Sequence, residues 1–192
     1  TFGIEAEVVE GLEIDKGYIS PIMITDTERM EAEYKDVAVL VTDKKISLLV
    51  DILPLLNKLT EAGTKALVIV CDDLDGEALK TLLSNKLRGG FMVLAVRAPG
   101  YGDDRREILT DIAVTVGATV VSEENGMTLP FAELSVLGKT RRIVATKDAT
   151  IIVGGAGKKE LIDTRIVQLR TQLEGIDTKF SREKLEERIG KL

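Results

Sequence analysis

A six-residue apolar run, Ala66–Cys71 (ALVIVC), leads straight into a helical pattern that closes on Gly89-Gly90, and no other stretch constrains the fold as much. The run is rich in β-branched residues and too short for a helix, which marks a buried strand. Asp72, Asp73 and Asp75 follow, where carboxylates suit the N-terminus of a helix. That helix is expected over Gly76–Leu87, stopped by the glycine pair. At about 100° per residue, Ala78, Leu82, Leu79, Leu83 and Leu87 spread over an arc of roughly 180°, wider than a surface helix ordinarily buries. One edge, Ala78 and Leu82, is expected to face a core. The other, Leu79 and Leu83, is left at a rim.

The stretch before the strand, residues 44–63 (KKISLLVDILPLLNKLTEAG), repeats the theme. Leu48, Ile52, Leu55, Leu56 and Leu59 make one stripe, and Leu49 and Leu53 extend it sideways. Pro54 lacks a backbone N–H, so it is expected to kink the helix or restart it at a first-turn position. The plain alternative for both helices is deep burial between layers. In a strand–helix–strand–helix order, however, they can pack side by side on one sheet face. Their surplus leucines then border a common apolar groove of the kind that takes a peptide.

The remaining pattern extends this order. A strand is expected at residues 4–9, then a loop-rich stretch punctuated by Gly11 and Gly17, with Tyr18, Ile19, Ile22 and Met23 around Pro21. Further strands are expected at 37–42, 91–97 and 118–122, with a helix at 104–116. Such alternation implies right-handed crossovers and a mainly parallel core sheet. After Gly126 the pattern changes: strands at 141–146 and 150–153 have no helix between them and read as an antiparallel flanking sheet. Charged helices at 159–173 and 181–191 complete an α/β chain of one layered domain. Because the chain opens on Thr1 inside an expected strand and closes on Leu192 with no obvious cap, it reads as a fragment of a longer protein.

Composition narrows the function. A net charge of −6 argues against nucleic-acid binding, which needs a basic face. No apolar run approaches the ~18 residues of a membrane span. There is no histidine, so neither a Ser–His–Asp nor a Cys–His arrangement can be built, nor a zinc site of the usual His/Cys type. Carboxylate or lysine chemistry stays open, but an enzyme is disfavoured. A single Cys71 precludes an intrachain disulfide.

Two glycine-rich stretches invite a nucleotide reading. In Gly154-Gly155-Ala156-Gly157-Lys158-Lys159, the position where a phosphate loop needs its first glycine is Ile152, and Lys159 replaces the Ser or Thr that would hold Mg²⁺. At residues 98–107 (APGYGDDRRE), Asp104 and Glu107 have capping-box spacing, so carboxylates are expected at the positive end of that helix, with Arg105 and Arg106 solvated or salt-bridged.

The strings VVEG (8–11), GYISP (17–21), DKKIS (43–47), DGEAL (75–79), NKLRG (85–89), APGYGD (98–103), SEENGM (122–127) and REKLEER (182–188) occur together in this order. In them the chain resembles, over essentially its full length, the apical domain of the GroEL-type (group I) chaperonins. The resemblance implies a layered β/β/α domain, residues 1–192, hinged through Gly11 and, at the other end, through the last helix (about 181–192) to an intermediate domain. It implies that the groove between the two leucine-rich helices binds non-native polypeptides and the mobile loop of a GroES-type co-chaperonin. Carried over residue by residue, the contact positions are Leu53 and Leu56 on the first helix, Leu79 and Leu83 on the second, and Tyr18 in the opening loop. Asn85 falls on a polar groove position. Ile22 and Met23 stand where members often carry two aromatics, Ser84 replaces a usual aliphatic and Asn57 an acidic residue, which predicts a less sticky groove. ATP and Mg²⁺ are implied only for the equatorial domain of a full-length subunit, which also forms most of the ring contacts. The isolated chain is therefore expected to be a monomer without cofactor or catalysis. The compartment implied is the bacterial cytoplasm, or an organelle matrix or stroma. The rivals are a small-molecule enzyme domain with its ligand at the Gly100–Gly102 loop, and an oligomer interface that buries the surplus leucines.

Overall fold

The computed structural model describes residues 11–174 and 179–192; the strand expected over 4–9 lies outside them. In chain order the elements are β1 (Gly11–Ile14), β2 (Ala32–Val41), β3 (Lys45–Ile46), α1 (Leu49–Glu61), β4 (Ala66–Cys71), β5 (Asp73–Leu74), α2 (Gly76–Leu87), β6 (Met92–Arg97), α3 (Gly102–Val116), β7 (Gly138–Ala145), β8 (Thr150–Gly155), α4 (Lys159–Glu174) and α5 (Lys179–Lys191). The chain is mixed α/β around a core that is mostly sheet.

The central strand is the one its composition predicts. Every side chain of β4 from Leu67 to Cys71 is buried, so both faces of the sheet are covered there. Neighbouring β2 and β6 run parallel to it, at Ala38↔Leu67 and Ala66↔Met92. The crossovers through α1 and α2 step in the same direction across the sheet, so right-handed connections put both helices on one face. Helix α3 packs on β2, β7 and β8.

A mainly parallel sheet with a separate antiparallel one is not what forms. Among the described residues a six-stranded sheet forms in the order β1-β8-β7-β2-β4-β6, and the β1–β8, β8–β7 and β7–β2 pairs are antiparallel. Strand β2 makes the join, because its ten residues are long enough to pair with β7 along one edge and β4 along the other. The strand expected at 118–122 reduces to one bridge, Thr42↔Val121. Its ladder ends because the Asn125 side chain takes the Val120 carbonyl (2.8 Å) and Ser122 Oγ accepts from Asn125 N (3.3 Å), turning the chain away.

The start expected for the first helix also shifts. Residues 45–46 pair in parallel with β5 as a small two-stranded sheet, and α1 begins only at Leu49. Pro54 lies inside one continuous α1 and does not restart it. The carbonyl it leaves unpaired belongs to Val50, a residue 61% exposed, so water can take that acceptor.

The opening loop covers the β6 edge. Tyr18 forms an antiparallel bridge with Val96, Ile19 N donates to Ala95 O (2.9 Å), and Tyr18 N donates to Thr146 O (3.0 Å). Gly17 is required for that approach, since a Cβ there would lie 1.9 Å from Thr146 O.

Candidate functional site

Helices α1 and α2 are fastened at their N-termini, where unpaired amides need partners. Glu77, in the first turn of α2, accepts from the Leu49 amide that opens α1 (2.9 Å). In return, Ser47 O accepts from Ala78 N of α2 (2.9 Å), and Ser47 Oγ donates to Asp75 (2.5 Å). The Ser47 hydroxyl first, and then Lys45, hold the Asp75 carboxyl below the usual carboxylate range. Asp75 occupies the N-cap position of α2 but makes no side-chain bond to its own helix, because its oxygens serve Ser47 and Lys45. Gly76 has φ +56 and passes close to Ser47 O, a conformation that a side chain would strain. These bonds leave the flanks of the pair apolar.

The two edges of each helix then diverge. Ile52, Leu55 and Leu59 of α1 and Ala78 and Leu82 of α2 are buried in the core. Leu53 is 40% exposed, and Leu79 and Leu83 are half-buried, packed against the core from outside. Ser84 is half-buried and Asn85 exposed at the C-terminal end of the same helix.

Two positions that the resemblance carries into the groove, Leu56 and Met23, belong to the core. Leu56 is 7% exposed, because it follows Ile52 by four residues and shares its inward stripe. Met23 is 1% exposed; its sulfur lies under β6 and accepts from Ala95 N (3.4 Å). Next to it, at the crest of the Pro21–Met23 3₁₀ turn, Ile22 is 40% exposed. Tyr18 is half-buried on the β6 edge, where its backbone is paired. Gly11 opens β1 opposite Val153.

Sequence reasoning missed two residues that shape this region. Glu77 ties the helices together from the first turn of α2. Lys86 reaches from the last turn of α2 to the 3₁₀ turn, donating to Ile22 O and to Ile24 O (2.6 Å). Lys86 follows Leu79 and Leu83 by seven and three residues, so the helical spacing alone puts it on the rim face. Its carbonyl partners lie more than sixty residues away, and no local pattern announces them.

The glycine-rich loop after β8 does not fit a phosphate. Cβ atoms at Gly155 and Gly157 would meet α3 backbone oxygens at 2.3 and 1.9 Å, so these glycines let the loop lie against that helix. The amides of Ala156 and Gly157 already donate to Lys139 O and Thr115 O, at 2.9 Å each. A cavity of about 760 Å³ opens elsewhere, between β1, α3 and α5, and reaches Gly100. Asp103, Asp104 and Glu107 line it beside the α3 N-terminus, which disfavours an anion there. The capping box does not form: Tyr101 is the N-cap residue, Asp104 pairs with Lys184 (2.7 Å), and Glu107 pairs with Arg165 and Arg188. Arg105 bonds Asp72 and Gly100 O, and Arg106 bonds Glu124, so both are salt-bridged.

Compared with protein-family models, the chain matches none. Among the described residues, no group of three or more His, Cys, Asp or Glu side chains is placed to hold a metal ion, and no helix is long and apolar enough to cross a membrane.

Proposed function

We propose that this chain is the polypeptide-binding apical domain of a GroEL-type chaperonin subunit, taking extended apolar segments of non-native proteins between α1 and α2. The observation that carries the reading is the split within each helix. Leu82 is buried while Leu83 beside it is half-exposed, and Leu55 is buried while Leu53 is 40% exposed. Leucines left at the edge of two helices that are tied at their N-termini offer apolar contact along the seam. Ile22 adds a fourth apolar side chain, beyond the C-terminal end of α2. Asn85, exposed at that end, supplies an amide for peptide backbone.

The occupant is an extended apolar polypeptide, and the mobile loop of a GroES-type co-chaperonin has the same chemistry. Burying one leucine gains roughly 1.5–3 kcal/mol. Ordering the peptide offsets much of that, so a single domain binds weakly and a ring of copies recovers strength by multivalency. Gly11 and the last helix would serve as hinges to the rest of the subunit, with ATP and Mg²⁺ bound in another domain. The bacterial cytoplasm or an organelle matrix or stroma is the compartment this reading implies.

A competition experiment tests the proposal. An unfolded, reduced protein and a co-chaperonin loop peptide should displace one another from the isolated chain, and Leu53→Glu should abolish both interactions. Independent binding of the two, or binding unaffected by Leu53→Glu, contradicts a shared groove.

A further inference from the structure

The 3₁₀ turn Pro21–Met23 is held from two sides. Beneath it, the buried Met23 side chain meets the β6 edge through Ala95 N. From α2, the Lys86 ammonium grips the carbonyls of Ile22 and Ile24, acceptors at the end of a short helical turn that has few partners of its own. Ile22 sits between these two anchors and keeps 40% of its surface exposed.

The charge on Lys86 has no other evident task. Among the described residues it forms no ion pair, although partial burial lowers its pKa and makes an unpaired ammonium costly. Charge-assisted bonds to two carbonyls offset that cost. On its helix Lys86 continues the line of Leu79 and Leu83, so the turn it holds lies at the end of the rim those leucines form.

We infer that Lys86 is a positioning residue for peptide recognition, holding the Pro21–Met23 turn against α2 so that Ile22 closes the C-terminal end of the groove. This inference rests on the groove reading above. It adds that the site has a third wall, which one lysine ties to α2. Peptides long enough to reach past Leu83 would gain from it, and shorter ones would not.

The test is a double-mutant cycle on the isolated chain, titrated with a short peptide alternating leucine and serine and read by chemical shifts. Lys86→Met should weaken binding by about three- to tenfold, the effect of one or two lost charge-assisted bonds passed on to a neighbouring contact. It should also shift the Ile22 methyl resonances in the free protein. Lys86→Arg, which can still donate to both carbonyls, should restore most of the affinity. In an Ile22→Ala background Lys86→Met should add nothing, because both changes remove the same wall. Lys80→Met, removing an exposed charge elsewhere on α2, should leave affinity unchanged. If Lys86→Met proves too unstable to titrate, Lys86→Gln, which keeps a single donor arm, takes its place in the cycle. Unchanged affinity in the Lys86 variant overturns the inference, as does a loss that is additive with Ile22→Ala or matched by Lys80→Met. A lower melting temperature with the same affinity marks a merely structural staple. Failure of the unmodified chain to bind the peptide overturns the groove reading and this inference together.

Discussion

The molecule holds two pairs of helices, and it holds them by opposite means. Helices α1 and α2 are joined at their N-termini, where backbone amides donate to the Glu77 carboxylate and the Ser47 carbonyl, and they lie on a bed of buried leucines. Helices α4 and α5 are fixed to α3 by charge: Asp111, 4% exposed, accepts from Arg165 Nε (2.8 Å) and Arg188 Nε (2.9 Å), and Glu107 pairs with both arginines. In the second pair the polar groups satisfy one another inside the contact, so this cluster of charges acts as an anchor. In the first, the bonds from one helix to the other sit at the N-termini, and leucines lie along the flanks. The candidate site is found where the chemistry is plainest.

Substitutions that exchange the character of the two pairs break this comparison most sharply. Leu82→Glu puts a carboxylate at a core position that is 2% exposed, and it should cost about 4–5 kcal/mol or more. Chemical denaturation should find the domain unfolded or nearly so. Asp111→Ala strips a shared partner from two largely buried guanidiniums and should cost about 3–5 kcal/mol. Amide exchange should then accelerate in α4 and α5 far more than in α1 and α2. Equal acceleration everywhere would mean that the charged anchor supports the whole fold.

Acid should act on both pairs, because the Glu107 carboxyl at the charged anchor and the Asp75 carboxyl at the head of α2 both lie below their ordinary values. Burial alone would raise the Glu107 carboxyl above its ordinary 4.5, but hydrogen bonds and charge from Arg165, and then from Arg188, outweigh it and leave the group lower in the fold. The stability it contributes is therefore present above about 4.5, its pKa in the unfolded chain, and is lost as the pH falls through the lower folded value. A titration from neutral pH downward should show the α4 and α5 resonances and those around Ser47 and Asp75 changing in that acid range, with the middle of β4 unmoved. The smallest effect on stability should come from Leu83→Glu, within about 1 kcal/mol, because this side chain can turn to water.

What the chain discloses before it folds is uneven for physical reasons. Ala66–Cys71 and Gly76–Leu87 were legible because each is decided by its own period and its flanking glycines and carboxylates. The mixed sheet was not, since nothing near β2 says that residues 32–39 will pair with 138–145, a hundred positions on. The rim leucines Leu53, Leu79 and Leu83 could be read from the helical wheel. Leu56 lies on the inward stripe where the wheel sets it, four residues after the buried Ile52, and not on the rim where the resemblance carried it. Met23 and Ile22 share a 3₁₀ turn, where no long period separates the inward residue from the outward one. Glu77 and Lys86 act across distance, on a neighbouring helix and on a remote turn, and only the assembled backbone supplies their partners.

The central claim, that the exposed edge of the α1–α2 pair is a peptide groove, is tested most directly by mapping a bound apolar peptide onto the chain residue by residue. A saturable titration at micromolar or weaker affinity should shift Leu53, Leu79, Leu83, Asn85 and Ile22, and leave Glu107, Asp111 and Arg188 at the charged anchor unmoved. Shifts centred on the cavity between β1, α3 and α5, or no saturable shifts at all, would contradict it.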